Sequence, residues 1–116
     1  MSKTLSASRR ITDEVTSWDG VTAGMGSRGE LSFKVDRKEI GHLHGDSAAH
    51  FFFSRDLWSE LKSAGRITDH PVFPGKEGPA ARRIVTDDDV RDVIAMMRLN
   101  YDRTTARHAA PTGSGS

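Results

Sequence analysis

Between Val21 and Phe53 the chain reads as short β-prone segments separated by turns too brief for a crossover, so neighbouring strands must run antiparallel. Val21–Met25 and Leu31–Val35 form a hairpin through Gly26-Ser27-Arg28-Gly29. Leu31, Phe33 and Val35 point inward, and Ser32 and Lys34 point outward. Asp36-Arg37-Lys38 turns the chain into a third strand, Glu39–His44. Gly45-Asp46-Ser47 turns it again into a fourth, Ala49–Phe53.

Helical periodicity flanks this run. Ile11, Val15 and Trp18 give Ser8–Trp18 an apolar stripe, and Asp19-Gly20 ends it. Ser54 is an N-cap for a helix reaching Ala64, with Leu57, Trp58, Leu61 and Ala64 buried and Gly65 at C′. A long connection, Arg66–Pro79, carries Pro71, Pro74, Gly75 and Gly78 and leads to a last strand, Ala80–Val85. Thr86 caps a final helix whose acidic first turn, Asp87-Asp88-Asp89, suits the helix dipole; Val90, Val93, Ile94, Met97 and Tyr101 form its core face. The order α-β-β-β-β-α-β-α predicts an α+β fold, an antiparallel sheet of four to five strands with helices packed on one face.

At 116 residues the chain supports one domain. Residues 1–8 and 104–116 are polar or small and lack periodicity. They read as a flexible N-terminus and a disordered tail around a single domain at 9–103. The balance of 17 basic and 16 acidic residues argues against a nucleic-acid partner, which would favour a basic excess. With no cysteine, disulfides, thiolate nucleophiles and Cys-ligated metal are excluded. No apolar run approaches the length of a membrane span, and no secretory h-region is visible, so a cytoplasmic location without a membrane partner is expected.

Histidine carries the chemical signal. His42 and His44 alternate on the third strand and project from one face, roughly 6.5–7 Å apart at Cα. Ile40 shares that face, while Gly41 and Leu43 opposite make a poor core face. His70 precedes Pro71, which favours an extended backbone in a loop. His50 alternates with Ala49, Phe51 and Phe53, and either lines the same cleft or meets solvent. Asp46 is a turn former, or a carboxylate that orients a histidine. His108 lies in the tail. Phe51-Phe52-Phe53, Trp58 and Met96-Met97 read as packing residues.

The run Lys38-Glu39-Ile40-Gly41-His42-Leu43-His44-Gly45-Asp46 resembles the signature of the luciferase-domain family. The likeness continues through Phe51-Phe52-Phe53-Ser54-Arg55, Leu57–Gly65 and His70-Pro71 to the helix Val90–Tyr101, covering about residues 17–103. A fainter similarity, in element order alone, is to small α+β DNA-binding-like domains. Fungal luciferases oxidise a hydroxylated α-pyrone with molecular oxygen. The resemblance therefore implies a small-molecule pocket for a flat, acidic phenol or enol, with dioxygen as co-substrate and no bound cofactor. Fungal members are longer and carry an N-terminal membrane segment. Bacterial relatives usually carry an aromatic residue near the start of the last strand, where this chain reads Gly78-Pro79-Ala80-Ala81-Arg82-Arg83.

The expected site is a cleft with His42, His44 and His70 as catalytic residues and His50, Asp46 and Arg82 as substrate-binding residues. A neutral histidine would take the proton of an acidic enol, and a protonated histidine or Arg82 would stabilise oxyanion charge. Were a metal present, His42, His44 and His70 would hold it: three imidazoles and water suit zinc, and two imidazoles with a carboxylate suit non-haem iron. Two other classes stand beside the enzyme. One is a non-catalytic small-molecule or metal-binding domain using the same cleft. The other is a nucleic-acid or protein interaction module using Arg9, Arg10, Arg82 and Arg83.

Overall fold

The computed structural model describes the backbone over residues 5–114 and side chains over 5–106. Residues 1–4 of the expected flexible N-terminus, the last two residues of the expected tail and the His108 side chain lie outside the described residues. Helix α1 spans Ala7–Val15, followed by strands β1 (Thr22–Met25), β2 (Leu31–Val35), β3 (Lys38–His44) and β4 (Ala48–Phe52). Then come α2 (Arg55–Ser63), β5 (Thr68–Asp69), β6 (Pro79–Arg83) and α3 (Asp87–Ser114). The α+β antiparallel architecture holds, with six strands in the order β1-β2-β3-β4-β6-β5. The additional strand, β5, is a two-residue segment inside the Arg66–Pro79 connection that pairs with β6. Helix α3 runs past Tyr101 to Ser114. Among the described residues no helix is long and apolar enough to cross a membrane.

Capping follows the sequence. The Ser6 hydroxyl accepts from the Arg9 N–H and the Ser54 hydroxyl from the Leu57 N–H, and Gly65 ends α2 in the left-handed region. Thr86 and Asp89 cap α3 reciprocally. The Asp89 N–H donates to the Thr86 hydroxyl, and the Asp89 carboxylate accepts from the Val85 and Thr86 N–H groups. One core joins α1 (Ile11, Val15), the inner sheet face (Phe33, Leu43, Ala49, Phe51, Ala80), α2 (Trp58, Leu61) and α3 (Val93, Met96, Met97).

Two local features position the site. Asp36 and Arg37 join β2 to β3 with φ of 52° and 68°, so both residues of this turn are left-handed, as a two-residue hairpin of matching twist requires. Arginine is strained there. Arg37→Gly is expected to stabilise the fold by about 0.5–1 kcal/mol, read by urea denaturation, because glycine removes the Cβ penalty at some entropic cost.

The second feature is a bulge. Phe33 pairs with Gly41, but Lys34 pairs with Glu39, so β3 carries one extra residue, Ile40. Gly41 faces the core, and a Cβ there would come within 2.6 Å of the Met97 sulfur. The Gly41/Leu43 side is therefore the packed side of β3, and not the poor core face that composition suggests. Ile40 is fully buried as well, rather than sharing the histidine face. Asn100 of α3, 8% exposed, donates to the Ile40 and Phe52 carbonyls at 3.1 Å and ties the bulge to the end of β4.

Candidate functional site

Register assembles a histidine face on the side of the sheet away from the core. His42 of β3 lies directly opposite His50 of β4, and His44 lies opposite Ala48. His50 pairs across to Ala81, and Ala81 pairs to Thr68. His70 follows Thr68 by two residues, so strand alternation brings it to the same face. Ring centroids are 4.9 Å apart for His42–His44, 5.2 Å for His42–His50, 4.4 Å for His44–His50 and 4.3 Å for His50–His70. His50, expected at the margin, is the hub of the cluster.

The bulge adds a carboxylate. By resetting alternation on β3 it turns Glu39 toward the histidines, and Glu39 Oε2 lies 2.6 Å from His42 Nδ1. The carboxylate can only accept, so His42 donates through Nδ1, and the neutral ring then keeps its lone pair on Nε2. His70 has the opposite arrangement. Its Nδ1 accepts from the Val72 N–H at 3.1 Å, so Nε2 carries the proton and is a donor. The loop that holds His70 is pinned by Asp69, which accepts from Lys62 at 2.5 Å and from the Gly75 N–H at 3.1 Å.

Among the described residues, ligating atoms of His42, His44 and His50 all lie within 4.8 Å of one another. His70 is not in that group, so His50 takes the place that sequence reasoning gave it. Burial, then the neighbouring His70, His44 and His42, push the His50 pKa down from 6.5 to about 4, against a weaker opposing pull from Glu39. Burial, with His42 and His44, also lowers His70. A neutral His50 at pH 7 has the lone pair that a base or a ligand needs, whereas the His70 ring is a donor through Nε2.

A prediction follows from His50. Because its folded pKa lies below the unfolded value, the unfolded chain binds more protons between pH 6.5 and 4. Stability should therefore fall as pH drops through that window. Solvent reaches this half-buried ring, so the loss is about 1–2 kcal/mol. Urea denaturation at pH 7.5 and 4.5 should show the difference shrinking in His50→Gln; an unchanged difference would assign the acid sensitivity to other groups.

Two expected site residues lie elsewhere. Asp46 is exposed in the β3–β4 turn, where its Oδ1 accepts from the Ser8 N–H at 2.8 Å in the first turn of α1. Arg82 pairs with Ala49, on the core side of the sheet. There it donates to Asp89 at 2.7 Å, to Asp92 and to the Arg66 carbonyl at 2.9 Å. The structure thus places Arg82 apart from the histidine face.

The histidine rings are partly to largely buried, with His70 8% exposed. Exposed Phe52 (64%) follows His50 by two residues on β4, and the Phe73 ring centroid lies 5.2 Å from His70. A cavity of about 350 Å³ touches the site only through Glu39 and Phe52. Its remaining walls come from the Asp36–Lys38 turn, Ser54 and the Asn100–Thr104 stretch of α3.

Searches of curated proteins and of solved structures each returned no match. A family model described as the luciferase domain matches residues 37–100, from the β2–β3 turn through β3, the histidine face and most of the patterned part of α3. That match spans more than half of the chain and contains Glu39, His42, His44, His50 and His70. The chain belongs to the luciferase-domain family.

Proposed function

We propose that this protein is a small acid–base enzyme that directs molecular oxygen onto a flat enolic or phenolic metabolite lying across the histidine face. The observation that carries this reading is the Glu39–His42 contact, since a carboxylate on Nδ1 orients the ring and leaves Nε2 as a base. His42 takes the enol proton. The enolate carbon then bonds to dioxygen, which is reduced to a peroxide as the carbon is oxidised. The proton returns from the imidazolium to the peroxide, so substrate and dioxygen together give a hydroperoxide. The His70 Nε2–H supplies a donor for the developing oxygen charge. Phe52 and Phe73 offer apolar surface for the ring of the substrate.

The arginine-based interaction module has less support. Arg9 pairs with Asp13, Arg10 with Asp87, and Arg82 with Asp89 and Asp92, which neutralises three of its four cations. The test is a panel of enolic pyrones, β-diketones and catechols, followed by oxygen electrode and mass spectrometry. Oxygen uptake matching substrate loss one for one, with a product heavier by one dioxygen, supports the reading. Absence of uptake across the panel, together with no saturable binding of its members, overturns it.

A further inference from the structure

The same lone pairs that suit proton transfer also suit a metal. We propose that His42, His44 and His50 form a chelating site for a divalent transition ion of the zinc class, and that the bound ion silences the acid–base chemistry by capping His42 Nε2. The silencing half rests on the function proposed above; the metal site itself does not.

Three observations support the site. His42 and His44 alternate on β3, and His50 faces His42 from β4, so the ligands stand on two hydrogen-bonded strands rather than on loops. Their ligating atoms lie within 4.8 Å of one another. A tetrahedral zinc with Zn–N of 2.0–2.1 Å sets its nitrogens about 3.3 Å apart, so binding requires the rings to rotate toward one another. Glu39 holds His42 Nδ1 as a carboxylate behind a metal-bound imidazole would, which fixes the tautomer and strengthens Nε2 as a ligand.

Charge and donor chemistry select the ion. The Glu39 carboxylate, 2.6 Å from His42 Nδ1, places negative charge beside the imidazoles and favours a cation. An all-imidazole set favours zinc, cobalt, nickel or copper over magnesium or calcium, which need oxygen ligands. His42, His44 and His50 are only partly buried, so water can take a fourth position.

The experiment is a cobalt(II) titration of the untagged, metal-stripped protein, read by visible absorption, followed by zinc competition against a chromophoric chelator. One equivalent of cobalt in a four-coordinate spectrum, displaced by zinc, supports the site. His44→Ala and His50→Gln should each weaken zinc at least 100-fold, Glu39→Gln should weaken it 10–100-fold, and His70→Ala should leave it unchanged. Circular dichroism separates lost ligands from lost fold. No stoichiometric binding, or binding that survives His44→Ala and His50→Gln, overturns the site. An equal loss in His70→Ala overturns this ligand set. If zinc binds as described yet leaves turnover of a panel substrate intact, the silencing half is overturned and the metal site stands. If zinc binds but the metal-free protein neither takes up oxygen with nor saturably binds any panel compound, the proposed enzyme fails independently of the metal site.

Discussion

Replacing Arg82 with alanine is expected to destabilise the protein by about 2–3 kcal/mol while leaving the histidine face intact. The guanidinium joins β6 to α3 and to the connection after α2: it donates to Asp89 and Asp92 of α3 and to the Arg66 carbonyl. Its side chain is 19% exposed, as is that of Asp89, and that of Asp92 is 23% exposed. Removing the arginine leaves two poorly solvated carboxylates, Asp92 held by Arg66 alone and Asp89 by the Val85 and Thr86 N–H groups alone. Full burial would cost about 3–5 kcal/mol, and the residual solvent access lowers that figure. Arg9, paired with Asp13 on an exposed helix surface, is the control, since Arg9→Ala should change stability by less than about 0.5 kcal/mol. Urea denaturation of both variants measures the contrast. Histidine NMR signals or zinc affinity that shift in folded Arg82→Ala would contradict the placement of Arg82 behind the sheet.

Arg82 also marks where the sequence stops being readable. Alternation in β2 separates Leu31, Phe33 and Val35 from Ser32 and Lys34, and the sheet follows it. In β6 the letters Ala80-Ala81-Arg82-Arg83 carry no inside–outside contrast. Only the pairing of Ala49 with Arg82 tells which arginine turns to the helices. The central place of His50 was legible by comparison. A turn centred on Asp46 pairs residue 44 with 48 and 42 with 50, which sets His50 against His42 before any coordinates are known.

Glu39 was legible only in part. Strict alternation from His42 places it on the opposite face, and the bulge at Ile40 reverses that. Gly41 is the one letter hinting at a bulge, because a glycine inside a strand marks a bend or a close approach. Here it marks both, since Met97 and Phe51 fill the space a side chain would occupy. Strand β5 gives no signal at all. Two residues carry no period, and Thr68–Asp69 pairs because the Lys62–Asp69 and Gly75–Asp69 contacts fold the connection back along β6.

The division of labour between Glu39 and His42 gives the second large effect. On a panel substrate that turns over, His42→Gln should lower kcat by about 10²–10⁴-fold, the usual contribution of a positioned general base. Glu39→Gln should cost far less, about tenfold, and the reason is geometric. Glu39 is 37% exposed, so a glutamine there is free to rotate its carbonyl oxygen toward Nδ1 and preserve the tautomer that keeps the Nε2 lone pair available. What it loses is the negative charge that stabilises the imidazolium formed during proton transfer. Glu39→Ala removes the acceptor as well and should fall between the two. Steady-state rates with matched circular dichroism spectra decide the order. Were Glu39→Gln as damaging as His42→Gln, the carboxylate would itself be the base and His42 its support. Were all three variants as fast as the parent, His42 would not be the base, and proton transfer would have to pass through His44 or His50, where no carboxylate fixes the tautomer.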